Sequence, residues 1–138
     1  MKRTVSLILR LAFCSAVGLV CAVAQNQDVP PDQPFQAVHL INVHSADTEK
    51  ALLAALTDIN AAIAKAGCAK CAYHLWKVSG TQAGGYNYLW TSSWPGREAY
   101  LKVHNSAEYQ AAINKHPEMG PIMETQTYNR YVEVTSSK

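Results

Sequence analysis

The sequence predicts an α+β domain of the ferredoxin-like type, in which the element order βαββαβ builds a four-stranded antiparallel sheet. Two observations predict this fold class. Strand-like and helix-like segments follow one another in that order between residues 35 and 134, and a short glycine-rich loop joins the two middle strands. The chain has 138 residues, which is enough for one domain behind a short N-terminal extension.

The first half of the domain has the pattern of a strand followed by an amphipathic helix. Residues 35–44, with the sequence FQAVHLINVH, are mostly apolar and contain no glycine or proline, as is typical of a strand. Ser45 or Asp47 can cap the helix that follows. The apolar residues of this helix recur at helical spacing and are Leu52, Leu56, Ile59 and Ile63. Gly67 can end it as a C-terminal cap.

A β-hairpin is predicted for the middle of the chain. Residues 72–79 and 86–94 have strand-like composition, and the loop GTQAGG at residues 80–85 joins them. The Pro95-Gly96 pair ends the second of these strands, because neither residue favours its continuation.

The last part of the domain is predicted to contain a broken helix and a final strand. Residues 97–104 are helical, Asn105 can cap a continuation to residue 115, and the His116-Pro117 step ends it. Residues 118–126 are predicted to form a connector, and residues 128–134 alternate as the fourth strand. Because two helices cover only one face of such a sheet, we expect a homodimer that closes two sheets into an α/β barrel.

Residues 1–24 predict a cleaved secretory signal peptide. Lys2 and Arg3 form its basic start, an apolar run extends from Val5 to Val20, and Ala22-Val23-Ala24 places small residues at the cleavage site. The expected location of the protein is therefore secreted or periplasmic, with no membrane association after cleavage.

The charge of the expected mature chain is close to neutral. The 12 basic residues include Lys2, Arg3 and Arg10 of the leader, which leaves 9 against 10 acidic residues, a net charge of −1. A nucleic-acid partner is not expected, since that would need a clustered basic face. Residues 25–34 are polar with three prolines and predict a flexible segment, so the domain itself is expected at residues 35–138.

Two cysteines remain after removal of the leader, which takes Cys14 and Cys21 with it. Cys68 and Cys71 lie in the stretch GCAKCAYHLW. Covalent haem attachment needs a histidine directly after the second cysteine, but Ala72 stands there, so this use of the motif is excluded.

Three states remain open for this cysteine pair. Redox catalysis is disfavoured, because Cys68 follows the C-terminus of a predicted helix, where the dipole opposes a thiolate. A zinc site could use Cys68, Cys71 and His74, with His39 or His44 as a fourth ligand. The two cysteines could also remain as unpaired thiols. A local disulfide is favoured because the chain is expected to enter an oxidising compartment, and no metal is predicted.

Aromatic residues of the hairpin are candidates for ligand binding. Tyr86, Tyr88 and Trp90 share one face of the third strand, because side chains alternate along a strand. They either pack in the core or line a cavity for an aromatic ligand, and the rigid walls they supply favour the cavity. With Trp76 of the neighbouring strand, they are the predicted ligand-binding residues.

The run WPGREAYLKVHNSAEYQAAI resembles the antibiotic-biosynthesis monooxygenase-like proteins of the dimeric α/β-barrel superfamily. The residues that match the pattern of these proteins are Trp94, Glu98-Ala99, His104, Ser106 and Tyr109, with Gly67-Cys68 before the second strand. The resemblance covers roughly residues 35–134. It implies a homodimeric barrel and a small-molecule oxygenase or isomerase that needs no cofactor and acts on a planar apolar or aromatic compound.

Histidines are the predicted proton-transfer residues of such an enzyme. His39 and His74 lie in predicted strands, and His104 matches the histidine of the resembled proteins. Each could instead be a hydrogen-bonded structural residue. As catalytic residues they would act as general bases. A binding protein without catalysis, or a haem-binding barrel with one of these histidines on the iron, are the alternatives.

Overall fold

The computed structural model describes residues 33–81 and 84–134, so the expected signal peptide and most of the segment 25–34 lie outside the described residues. The helices and strands in chain order are β1 (Phe35–Ile41), α1 (Ala46–Lys65), β2 (His74–Lys77), β3 (Tyr88–Trp94), α2 (Arg97–His104), α3 (Ala107–Asn114), α4 (Gly120–Glu124) and β4 (Thr127–Val132). Short 3-10 turns at Ala69–Cys71 and Pro117–Met119 precede β2 and α4.

The four strands form one antiparallel sheet in the order β2-β3-β1-β4. β1 is therefore a central strand, which pairs with β3 on one side and with β4 on the other. This order and the helices between the strands confirm the predicted α+β ferredoxin-like fold. None of the helices in the described residues is long and apolar enough to cross a membrane.

Side-chain alternation gives the sheet a face that the helices cover and a face that they leave open. The covered face buries the cross-strand pairs Phe35–Trp94, Ala37–Ser92, His39–Trp90 and Ile41–Tyr88. The open face carries Trp76 and Tyr131, which are 58% and 52% exposed. The aromatic stripe of the third strand thus belongs to the covered face.

The ends of α1 follow the sequence signals. The Ser45 hydroxyl caps its first turn. At the other end Gly67 has φ of 95°, which favours glycine, and its N–H donates to the Ala64 carbonyl. The Cys68 N–H donates to the Ile63 carbonyl, which completes a Schellman motif.

The predicted connector at residues 118–126 is wrong, because most of it is helical. The turn Pro117–Met119 runs directly into α4. Pro121 lies in the first turn of α4, where its missing N–H would have no intrahelical partner in any case, so it starts the helix rather than breaking it. The preceding helix α3 is capped by Ser106 and not by Asn105, since the Ser106 hydroxyl accepts from the Tyr109 N–H.

The strands are shorter than predicted at several ends. β1 stops at Ile41 because the Asn87 side chain takes both backbone groups of Val43, accepting from its N–H at 2.8 Å and donating to its carbonyl at 2.7 Å. β2 covers only His74–Lys77, and β3 begins at Tyr88 rather than at residue 86.

A second asparagine fixes the chain just before β2. The Asn60 side chain of α1 accepts from the Tyr73 N–H at 2.7 Å and donates to the Tyr73 carbonyl at 2.9 Å. A strand neighbour would satisfy these two groups in the same way, so Asn60 attaches the start of β2 to the helix layer.

The disulfide expected between Cys68 and Cys71 is confirmed. It spans the 3-10 turn that connects α1 to Tyr73, and both cysteines are buried in the core. A disulfide leaves neither sulfur free to bind zinc. Together with Asn60, this bridge fixes the path that carries Tyr73 onto the covered face.

Replacing Asn60 by alanine should lower the free energy of unfolding by about 1–3 kcal/mol, because two part-buried backbone groups of Tyr73 lose their partner. Urea denaturation measures this change. Asn42→Ala is the matched control, since the Asn42 side chain has no hydrogen-bond partner in the described chain. Equal stabilities of the two variants would contradict the role given to Asn60.

Candidate functional site

A cavity of about 460 Å³ lies between the covered face of the sheet and the helices. His39 and Trp90 form its floor, and Tyr100, His104 and Tyr109 of α2 and α3 form one side. Residues 116–126, which we name the wall segment, form another side. The volume is within the range of small-molecule sites.

His39 is the most constrained polar group on the floor. It is 7% exposed, and its cross-strand neighbours are Trp90 on β3 and Tyr128 on β4. Its ring stacks on Tyr128 with centroids 4.4 Å apart. Its Nδ1 pairs with the side-chain oxygen of Gln126 from the wall segment. This acceptor fixes the tautomer with the proton on Nδ1, which leaves Nε2 as a lone-pair atom.

Burial keeps the His39 ring neutral. Desolvation lowers its pKa from 6.5 to about 4, against the opposing effect of the Gln126 hydrogen bond, and the positive charge of Arg130 lowers it further. No protein group in the described chain pairs with Nε2. A neutral imidazole with one fixed N–H and one unpaired nitrogen has the form of a general base.

His104 and Tyr73 form a second polar pair in the cavity. His104 Nδ1 donates to the Tyr100 carbonyl at 2.9 Å, so its Nε2 accepts. The Tyr73 hydroxyl lies 3.4 Å from that Nε2, which is long for a hydrogen bond. Desolvation lowers the His104 pKa from 6.5 to about 4, so this ring is neutral as well.

The phenols around the cavity remain protonated. Burial raises the pKa of Tyr73 well above its usual range, and the same cause raises the pKa values of Tyr109 and Tyr128. They are therefore hydrogen-bond donors and not bases. The indole N–H of Trp90 is also buried, and it has no acceptor among the described residues. The cavity walls thus contain more donors than the protein itself satisfies.

The cavity lining contains no lysine, arginine, aspartate or glutamate. The lining includes the aromatic rings and the apolar side chains of Ile59, Met119 and Met123, and the exposed residues Asn105 and Gln110 add amide groups. Such a lining suits a neutral aromatic ligand better than a charged one, which would lose its hydration on entry.

Three of the seven residues predicted to be catalytic or ligand-binding line the cavity, and the other four do not. His39, His104 and Trp90 line it together. His74 and Trp76 do not, because they point to the open face of the sheet, where the Trp76 indole donates to the Thr91 hydroxyl at 3.0 Å. Their predicted catalytic and ligand-binding roles have no support from the cavity.

Tyr88 begins β3 and Tyr86 lies just before it, and both are outside the cavity lining. Tyr88 is 3% exposed and donates to the Glu49 carboxylate at 2.7 Å. Tyr86 precedes the strand, and its hydroxyl pairs with that of Thr127. Neither residue lines the cavity, so their shared face with Trp90 serves mainly packing and local hydrogen bonds.

Two important residues of the cavity were absent from the predicted set. Gln126 lies in the segment that the sequence suggested was a connector, and a single glutamine there has no recognisable pattern. Tyr73 follows Cys71 by two residues, in a stretch that the sequence predicted only as the start of the second strand. Within residues 33–81 and 84–134, no group of three potential metal ligands lies close enough together to hold a metal ion.

No family model and no curated protein matches the chain. Several solved structures do. A hydroxynitrile lyase from Passiflora edulis superposes with a TM-score of 0.57 at 12% identity, over 78% of this chain and 100% of that one. A DABB family protein from Mesorhizobium loti with a ferredoxin-like fold gives 0.55 at 12% identity, over 74% and 98%.

A dimeric ferredoxin-like protein of unknown function from Thermobifida fusca gives a TM-score of 0.50 at 13% identity, over 72% of this chain and 91% of that one. Identities this low show the fold alone. The chain therefore shares the α+β ferredoxin-like architecture of these proteins, as its sheet order and helix placement already indicated.

Proposed function

We propose that the cavity binds a neutral planar apolar or aromatic compound and that His39 acts on it as a general base, without a cofactor. The observation that carries this proposal is the state of His39: buried, neutral, held by Gln126 at Nδ1 and unpaired at Nε2. A core histidine with a purely structural role would be expected to use both ring nitrogens.

The other polar groups of the cavity suit the charge that such a reaction creates. Removal of a proton from an O–H or an activated C–H leaves negative charge on the substrate oxygen. The Tyr73 hydroxyl has His104, Tyr109 and Ser92 as hydrogen-bonding neighbours, and its raised pKa keeps it protonated. By turning away from these neighbours it can donate to that oxygen. His39 would receive the proton, and the Arg130 charge near it opposes long retention of that proton.

The resemblance to monooxygenase-like proteins suggests an oxygenase and the hydroxynitrile lyase among the structural neighbours suggests a lyase, but neither fixes the substrate. An oxygenase of this kind would deprotonate a phenol or hydroquinone, whereas an isomerase or lyase would act on a carbonyl compound or alcohol. Neutral naphthols, hydroquinones and aryl ketones therefore form the first panel of compounds to assay.

His39→Gln should abolish turnover of any active compound in this panel while binding changes little, because glutamine fills the site but cannot take the proton. Oxygen uptake and deuterium incorporation from D₂O, followed by NMR, report the two reaction classes. Turnover should also fall as the pH drops toward 4 and His39 becomes protonated. His74→Gln is the matched control on the open face and should keep full activity.

Equal loss in both variants would contradict the assignment of the base. A binding protein without catalysis would instead quench the tryptophan fluorescence with some of these compounds and turn none of them over. The haem alternative predicts a Soret band on addition of haem that is lost in His39→Ala or His104→Ala, and no spectral change with the wild type removes it.

We further propose that the open face of the sheet is covered by a second copy of the chain. Trp76 and Tyr131 expose more than half of their surfaces there, and Val38 and Leu40 of β1 lie between them. The Thermobifida fusca neighbour is described as dimeric, and two such sheets packed face to face would bury this apolar surface.

Trp76→Asp should shift the protein from dimer to monomer at micromolar concentration, because a carboxylate would be buried without a partner. Light scattering measures the mass. Leu53→Asp is the matched control: Leu53 is 48% exposed but lies on α1, away from this face. A monomeric wild type, or a Trp76→Asp dimer as strong as the control, would refute the proposed interface.

Export is the last part of the proposal. The disulfide between Cys68 and Cys71 suits an oxidising compartment, as the expected signal peptide requires. Protein purified from its natural host should have an intact mass that corresponds to a chain starting near Gln25 with no free thiol. A mass that retains residues 1–24 would rule out cleavage at the expected site.

A further inference from the structure

A histidine at the cavity mouth is held between two carboxylates. His116 Nε2 lies 2.9 Å from Asp58 Oδ2 on α1, and His116 Nδ1 lies 2.9 Å from Glu118 Oε1 in the following turn. The His116 side chain is 10% exposed, whereas those of Asp58 and Glu118 are 35% and 44% exposed. Both ring nitrogens face acceptors, so this geometry requires the doubly protonated imidazolium.

This bridge lies at the first residue of the wall segment. Beyond it, Met119 is buried, but α4 contains no buried residue. At the far end Gln126 holds His39. Ile122 and Met123 also pack against the core while remaining partly exposed. Apolar contacts therefore hold the middle of the wall segment, and the His116 bridge is the polar attachment that ties its start to α1.

We infer that the Asp58–His116–Glu118 bridge is a pH-dependent latch, which holds the wall segment closed over the cavity when His116 is protonated and releases it when His116 is neutral. The effect on ligand exchange rests on the proposed function of the cavity. The movement of the wall segment does not, and it can be measured without a ligand.

The charges around His116 set the direction of the switch. Its hydrogen bonds to Glu118 and Asp58 raise its pKa above 6.5. A group whose pKa is raised by folding stabilises the folded arrangement below its unfolded pKa, and this stabilisation is lost as the pH rises through the folded value. The latch is thus closed near pH 6 and opens at higher pH.

Lys115 is a further charged group at this position. Lys115 Nζ lies 2.7 Å from Asp58 Oδ2 and is the largest cause of the lowered Asp58 pKa, with His116 second. The pKa of Glu118 is also lowered, first by a hydrogen bond from the backbone of Glu118 itself and then by the hydrogen bond from His116. Both carboxylates therefore stay ionised across the pH range in which His116 titrates, and Lys115 competes with His116 for Asp58.

Hydrogen exchange of the full-length mature protein tests the latch directly. Protection factors of amides in residues 116–124, corrected for the intrinsic pH dependence of exchange, should fall by up to about fivefold between pH 6 and pH 9, as expected for a partly exposed ion pair. In His116→Gln the protection should be low and independent of pH. His44→Gln, an exposed histidine in the β1–α1 loop, should behave as the wild type.

Two further variants separate the contributions of the bridge. Lys115→Met leaves both carboxylates on His116 and should keep the pH step. Glu118→Gln removes one acceptor and should reduce it. Global stability from urea denaturation, measured alongside, ensures that a change in protection reports the wall segment and not general loosening of the fold.

Release of the neutral fluorescent compound N-phenyl-1-naphthylamine provides the second readout. Its dissociation rate should rise over the same pH range in the wild type and in His44→Gln but not in His116→Gln. If the compound does not bind, the cavity proposal loses support while the exchange data still decide on the latch. Protection of residues 116–124 that is constant from pH 6 to pH 9, or a pH step that persists in His116→Gln, would overturn the inference.

Discussion

The register of β1 is the constraint on which the rest of the structure depends. This strand is paired along both edges, with Trp90 and Tyr128 opposite His39. A shift of one residue would turn His39 to the open face and bring Gln36 and Leu40 under the helices. The two-sided pairing prevents that shift. It places a polar residue in the centre of an aromatic layer, where it can be accommodated only in its neutral form and with a partner such as Gln126.

The cavity follows from the rings that surround this position. Trp90 meets the Tyr73 ring nearly edge-on with centroids 5.5 Å apart, and Trp94 meets Tyr100 in the same way at 5.1 Å. Rigid rings in this geometry cannot fold into a remaining gap as aliphatic side chains do. The helices above them, α2 and α3, have only eight residues each, so they cover the rings without filling the space between them.

The sequence predicted most of the fold because local signals and the tertiary structure agree. Ser45 and Gly67 mark the two ends of α1 as the sequence predicted. It could not predict the covered face of the sheet, since Tyr88 and Trp90 suit either packing or binding, and it therefore grouped Trp76 with them. The wall segment was missed because Gly120-Pro121 also fits a connector. Gln126 depends on a contact across 87 residues, which no local pattern encodes.

The three histidines that line the cavity show how position alone divides one residue type into two roles. His39 and His104 lie inside, where desolvation lowers their pKa values to about 4 and removes their charge at neutral pH. His116 lies at the mouth between two carboxylates, which raise its pKa. At pH values above about 4 and below the raised pKa of His116, the two interior rings are neutral while the ring at the mouth is charged. A base in the cavity and an ion pair at its entrance can therefore coexist over the same mildly acidic to neutral range, because desolvation dominates at His39 and His104 whereas the hydrogen bonds to Glu118 and Asp58 dominate at His116.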